Sequence, residues 1–182
     1  AILPLVINNN VDPKEVNRIL IEKPLALHEV TGAEERKNPK TPEVARLSSY
    51  YFSAVAVLRR SAWLEALEPD VFNAPETWDM MKKVVCVHNP EFDKEFPDKY
   101  PCRVTIELKN GEKITAREDY PKGDPENPMT TVELIDKANR LYDYCFSDVV
   151  SRDRFDEIVE RTLSLEKEED LGAFCRLLVS DS

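Results

Sequence analysis

The sequence predicts an α+β fold. A small mixed or antiparallel sheet of about four strands, one pair of them a β-hairpin, packs against a central helix and is followed by a helical C-terminal tail. Three observations carry this. Residues 16–21, Val-Asn-Arg-Ile-Leu-Ile, form a short run rich in β-branched side chains and read as a strand. Residues 103–108 and 113–118 alternate in polarity on either side of Asn110-Gly111, a hairpin signature because both residue types tolerate positive φ. From residue 131 onward the apolar residues recur only at helical spacing.

The elements follow in order. Asp12-Pro13 marks a turn before the first strand. The polar stretch 24–42, with Gly32, Pro39 and Pro42, reads as an ordered loop. Thr41 is then a plausible N-cap and Pro42 occupies the first helical position, where its missing N–H costs nothing. The helix that they open runs to about residue 60. Val44, Leu47, Tyr51, Val55 and Leu58 form its apolar stripe, so it is the expected buried centre of the fold. A second short helix is expected near 62–67 and another over 75–81, leading into a strand at 83–88. Residues 90–101 read as a charged loop with three prolines, and 120–128 as a loop built around Gly123 and three more. Helices are expected over 131–146, 152–163 and 169–179. The order of strands and helices does not alternate as in βαβ units, which disfavours a parallel doubly wound sheet.

Composition narrows the function classes. The chain has 182 residues, 42% hydrophobic and 33% charged, enough to bury an apolar core without disulfides or metals. Its net charge of −10 argues against a nucleic-acid surface, since the basic pairs Lys82-Lys83 and Arg59-Arg60 both have carboxylates nearby. No apolar run approaches the roughly 18 residues of a membrane span. The amino terminus has no basic region or cleavage pattern of a signal peptide. Cys86, Cys102, Cys145 and Cys175 show no C-x-x-C spacing; three sit in apolar surroundings that read as buried, and all four read as free thiols of a reducing cytoplasm. His28 and His88 are too few and too far apart to build a zinc site, so no metal is expected.

Several stretches then align with one family. Residues 110–130, Asn-Gly-Glu-Lys-Ile-Thr-Ala-Arg-Glu-Asp-Tyr-Pro-Lys-Gly-Asp-Pro-Glu-Asn-Pro-Met-Thr, followed by the helix start Val132-Glu-Leu-Ile-Asp-Lys137, resemble the MmgE/PrpD family. There a hairpin leads to "YPkGdpxNPlt" and then to a helix. Thr41-Pro-Glu-Val-Ala-Arg-Leu-Ser48 resembles the family's "P.t..eArfS" helix start, and the strand at 16–21 its "I..I.v" strand. The resemblance covers about residues 12–178 as scattered motifs, the 120–129 loop being the specific one. Leu47 and Ala138 depart from it, standing where the family often has His or Phe.

The resemblance implies a carboxy-terminal domain of an enzyme of the 2-methylcitrate dehydratase and cis-aconitate decarboxylase type. Residues 1–182 are then a single α+β domain without the family's upstream all-helical domain and its Lys/His segment, which hold most of the acid–base residues. It also implies a cofactor-free, metal-free site between the two domains, a small carboxylate substrate and a homodimer. Carried onto this chain, the substrate-binding candidates are Arg46 and Ser48, on the first turns of the central helix where unpaired N–H groups favour anions, and Lys122, in the Gly/Pro loop. Each has a plainer structural reading: a cap, a surface ion pair, a tight turn. His28, in the loop before the central helix, is the chain's one catalytic candidate, and His88 reads as structural. Tyr50 and Tyr51 are expected in the core with hydroxyls that need partners. The alternative function is a stand-alone binding module, its acidity suited to a basic protein partner.

Overall fold

The computed structural model describes residues 1–179, and these divide after Pro121 into two compact units. The first unit contains the sheet. Its strands are β1 (Val16–Lys23), β2 (Val84–His88), β3 (Cys102–Leu108) and β4 (Lys113–Glu118). They lie in the order β2-β1-β3-β4, with β1 and β2 parallel and the other pairs antiparallel, so the sheet is mixed, within the predicted fold class.

Alternation along the strands decides the two faces. Ile19 and Ile21 of β1, Val84 and Cys86 of β2, and Val104 and Ile106 of β3 are buried on one face. The helix α4 (Ser49–Arg59) contributes Tyr50, Tyr51, Ala54, Val55 and Val57 to the same core, and α1 (Ile2–Asn8) and α6 (Pro75–Met81) complete it with Leu5, Val6, Met80 and Met81. Burying an Ile or Val side chain contributes about 1.5–3 kcal/mol, so this face holds most of what stabilises the unit. On the other face Glu22 receives Arg103 through both Nε and an Nη, each at 2.5 Å. The guanidinium groups of Arg103 and Arg117 lie 5.3 and 4.9 Å from the ring centre of buried Phe92, in α7 (Pro90–Asp93).

The structure departs from the sequence expectations at several places. The helix expected over 42–60 is two: α3 (Pro42–Ala45), capped by Thr41, and α4, which starts afresh with Ser48 as its N-cap. Val44 and Leu47, assigned to its apolar stripe, are therefore exposed. The expected loop 24–42 contains α2 (Leu25–Thr31) and a 3-10 turn at Glu34–Lys37. The helix near 62–67 is the 3-10 turn Leu64–Leu67, followed by α5 (Pro69–Phe72). The hairpin is present, but Asn110 does not take positive φ. The connection spans 109–112, with Gly111 at φ +88° and the Asn110 side chain accepting from the Glu112 N–H at 2.9 Å. Asn110 acts through its side chain and leaves the left-handed position to glycine. Of the cysteines, Cys86 is buried and Cys102 partly so, whereas Cys145 and Cys175 are exposed; all four are free thiols.

The second unit is helical: α8 (Thr131–Cys145), α9 (Arg152–Leu163) and α10 (Leu171–Leu177). Thr130 and Glu133 cap α8 reciprocally. The apolar side chains buried among the described residues of this unit are Tyr142 and Phe174. Arg152 stacks over Tyr142 and Phe155, 5.2 and 5.3 Å from their centres, and Arg161 lies 5.6 Å from that of Phe174 while bonding Glu168 at 2.8 Å. No helix among the described residues is long and apolar enough to cross a membrane.

Candidate functional site

Polar groups concentrate at the start of α4, where the chain turns out of α3. Ser48 is almost fully buried at 2% exposure. Its Oγ accepts the Tyr51 N–H at 3.1 Å and donates to the Arg36 carbonyl at 2.6 Å. One hydroxyl thus caps the helix and ties it to the 34–37 turn, so Ser48 is committed to positioning. Arg46, two residues earlier, is exposed, and its guanidinium makes no hydrogen bond or ion pair among the described residues. Its charge does reach Glu43, whose carboxyl is held low first by a hydrogen bond with Thr41 and only weakly by Arg46.

Beneath this turn lies a residue that sequence reasoning missed. Lys23 ends β1 with the same parity as Ile19 and Ile21, which brings it to the helix-covered face. Its Nζ donates to Thr31 Oγ1 at 2.7 Å and to Ser49 Oγ at 2.5 Å, and no carboxylate among the described residues pairs with it. Burial lowers its pKa below the usual lysine value. The thiols of Cys86 and Cys102 lie close enough to interact with it, and burial pushes both upward, Cys86 to about 11. The signal was available: an inward-parity lysine on a strand whose other inward residues are isoleucines.

The tyrosines find the partners that they require. Tyr50 donates to the Gly32 carbonyl at 2.7 Å, and Tyr51 to the Ala66 carbonyl. Burial pushes the Tyr51 hydroxyl up to about 12, so neither ring serves as an easily ionised acid. His28 lies in α2 rather than in a loop, and its half-buried imidazole makes no hydrogen bond among the described residues. Its Cδ2 is 3.1 Å from where a Cβ on Gly32 would stand, so glycine is needed for that approach. His88 is structural: its Nε2 lies 2.6 Å from Asp93 Oδ2, whose other oxygen accepts the Leu25 N–H at 2.7 Å.

Lys122 belongs to the second unit, in a loop where Gly123 takes φ +106° and donates to the Asn127 carbonyl at 2.8 Å. Its Nζ is 3.0 Å from Glu133, the acid of the capping box. Backbone and side-chain hydrogen bonds with Thr130, and the Lys122 charge, hold the Glu133 carboxyl down at about 2. Lys122 is thus drawn to the helix start rather than left free. No group of three or more His, Cys, Asp or Glu among the described residues is arranged to hold a metal ion.

What this arrangement offers chemically is positive charge. Lys23 reaches the first residue of α4 through Ser49, and Arg46 lies two residues before the α4 cap; neither forms an ion pair with a carboxylate among the described residues, in a strongly acidic chain. Such cations suit anionic oxygen, and no base among the described residues is poised beside them.

Comparison with known proteins identifies the family. The MmgE/PrpD C-terminal domain matches residues 1–165. A cis-aconitate decarboxylase-like protein of Aspergillus oryzae is 28% identical over 163 residues, covering 88% of this chain and 32% of that protein. A cis-aconitate decarboxylase of Aspergillus terreus is 25% identical over 172 residues, covering 93% of this chain and 34% of the relative. That of Mus musculus is 28% identical over 149 residues, 81% of this chain and 29% of the relative. The chain therefore spans about a third of the length of these curated relatives. The domain match runs through the sheet, the start of α4 and most of the helical tail, and the chain belongs to the MmgE/PrpD family.

Proposed function

We propose that this chain is the carboxy-terminal part of a lyase acting on a small tricarboxylate, decarboxylating or dehydrating it, with Arg46 contributing to the binding of a substrate carboxylate. The observation that carries this is positive charge near the start of α4 that forms no ion pair among the described residues: Arg46 at the surface two residues before the cap, and Lys23 bonded to Ser49 and Thr31. The names of the relatives, cis-aconitate decarboxylases, supply the substrate class. Loss of CO₂ or water next to a carboxylate needs fixed cations to hold the substrate and a base to move a proton. The described residues offer the first and not the second, beyond the unpartnered imidazole of His28. The base is therefore assigned to a preceding part of a longer polypeptide, and residues 1–182 alone are expected to be inactive.

Exposed Val44 and Leu47 flank Arg46, which supports a contact of this face with that missing part. Dehydration of 2-methylcitrate, a cytoplasmic location and a homodimer belong to the same proposal. The test is an assay of the full-length polypeptide for CO₂ release from cis-aconitate and for dehydration of 2-methylcitrate. Turnover of either, with a raised KM in Arg46→Gln, supports the reading. Turnover of neither by a folded full-length protein rejects it, and a native polypeptide that begins at residue 1 would leave the binding-module alternative.

A further inference from the structure

A groove of about 510 Å³ lies at the β2 edge of the sheet, where the 34–37 turn and the end of α6 meet the strand. That is within the size range of small-molecule sites. Its apolar lining is Trp78, Met81, Val84 and Val85, and its polar groups are Lys37, Asn38 and Lys82. The chain carries 35 acidic residues against 25 Lys and Arg, yet no acid among the described residues lines this groove. Trp78 uses its one polar atom elsewhere. Its indole N–H donates to the Phe72 carbonyl at 2.7 Å, and its ring meets the Phe72 ring edge-on at 5.5 Å. What it presents to a ligand is therefore apolar surface.

Both lysines have a carboxylate three residues away: Lys37 meets Glu34 and Lys82 meets Asp79, each at 2.7 Å. Those acids are 81% and 70% exposed, so water screens the pairs and they contribute little. Each ammonium group carries three donors and can take a ligand oxygen beside or in place of the acid. Lys37 is the better placed of the two. Its side chain is 45% exposed against 75% for Lys82, and its Nζ lies 5.7 Å from the centre of the Tyr50 ring.

The strand edge adds a backbone contact. The Lys83 carbonyl accepts the Ile19 N–H at 2.9 Å and the Asn89 N–H donates to the Lys23 carbonyl at 2.8 Å, so the odd-numbered residues of β2 turn to β1. Val84 turns its N–H and C=O the other way, to the edge where the groove lies. Two residues on, that edge is shut, since a Cβ on Gly32 would lie 3.0 Å from Cys86 Cβ. One open residue is too short for an added strand and suits a single polar group of a small molecule. The end of α6 at the groove bears the negative pole of the helix, which suits one negative charge better than a chain of phosphates. We propose that this groove binds an amphiphilic carboxylate, with its apolar chain against Trp78, Met81 and Val85 and its carboxylate taken first by Lys37 and second by Lys82. This goes beyond the lyase reading and does not depend on it.

The experiment is calorimetric titration of octanoate into the full-length polypeptide, with acetate, 1-octanol and citrate as comparisons. Wild type, Lys37→Gln, Lys37→Arg and Lys82→Gln are measured, each with a thermal melt. Octanoate should saturate one site. Acetate, which lacks the chain, and 1-octanol, which lacks the charge, should each bind about tenfold more weakly or less well still. Lys37→Gln should weaken octanoate by about tenfold, Lys82→Gln by less, and Lys37→Arg should restore most of the affinity. The melts should nearly coincide, because both lysines sit in exposed pairs that the fold does not need. No saturable octanoate binding, equal binding of 1-octanol, or unchanged affinity in Lys37→Gln would each overturn the site. Citrate displacing octanoate would also overturn it, since the groove would then belong to the tricarboxylate. The two proposals fail separately. A protein that turns over cis-aconitate and ignores octanoate removes this site and keeps the lyase, and octanoate binding without turnover does the reverse.

Discussion

The two compact units of this chain are stabilised in different ways. In residues 1–121 one face of a four-stranded sheet is closed by α4, and side chains such as Ile19, Ile106, Tyr51 and Val55 are almost wholly removed from water. In the described residues from 122 onward the helices bury Tyr142 and Phe174, and much else is done by arginines stacked on rings and by a capping box and ion pairs at the surface. Val132, Leu134, Phe146 and Val149 stay exposed there. The difference teaches where a substitution should matter: apolar truncation in the first unit, polar capping and electrostatics in the second.

The largest effect should therefore come from a matched truncation. Ile19→Ala removes a fully buried side chain between β2 and β3 and should cost about 3–4 kcal/mol in urea unfolding. Leu134→Ala removes a side chain that is 47% exposed and should cost less than about 1 kcal/mol. Equal losses would mean that the second unit's apolar surface is covered by something in solution and that the contrast is false.

A smaller effect is expected from pH, and it belongs to the first unit. Cys86 has a folded pKa of about 11 against a reference of 9.0, raised by burial. Between these values the unfolded chain releases the thiol proton and the folded chain keeps it, so stability falls as pH rises from about 9 to 11. The full loss is on the order of 2–3 kcal/mol. Lys23 opposes this. Its lowered pKa means that the unfolded chain holds the extra proton, so its contribution rises with pH up to about 10.5. Cys86→Ala should therefore flatten the alkaline loss measured by denaturant midpoints across that window. An unchanged slope would show that the thiol does not titrate as its burial requires. Exposed Cys145 and Cys175 should react with a thiol reagent well before Cys86 in the native protein.

How far each region was legible follows the same division. The hairpin, α6 and the three tail helices could be read because their signals are local: Asn-Gly between alternating runs, Pro75 at a helix start, Thr130 and Glu133 three apart. Segment 24–42 was read as a loop from its polarity and prolines, although Pro24 ahead of a seven-residue helix and Gly32 after it are a start and a stop. α1 was hidden by Pro4, which is tolerated because it lies in the first turn of the helix. The break between α3 and α4 could not be read at all. It depends on Ser48 finding the Arg36 carbonyl, twelve residues away in sequence, and periodicity carries no information about such a bond. The candidate site suffered most from this. Arg46 was visible through a motif, but Lys23 matters because hydroxyls rather than a carboxylate meet its ammonium group, and that is a property of the folded molecule alone.

The two helix caps give the smallest and sharpest test of the contrast. Ser48 and Thr130 do the same local task, each accepting a backbone N–H of the first turn, at 3.1 and 3.2 Å. Their surroundings differ. Ser48 is buried and its hydroxyl also satisfies the Arg36 carbonyl, so Ser48→Ala leaves a donor and an acceptor unmet away from water and should cost about 2 kcal/mol. Thr130 is exposed, water can replace its hydroxyl, and Thr130→Ala should cost about 1 kcal/mol or less. Acid should separate them further. Glu133 has its carboxyl held at about 2, so what it contributes is present above its reference pKa of 4.5 and is lost as pH falls from there toward 2. The Thr130→Ala penalty should shrink over that range, because the capping box is already failing, whereas the Ser48→Ala penalty involves no titrating group and should stay constant. A Ser48→Ala penalty no larger than that of Thr130→Ala would show that the start of α4 is open to water. The Arg36 carbonyl would then be solvated without Ser48, and the tie between the 34–37 turn and α4 would lose its physical basis.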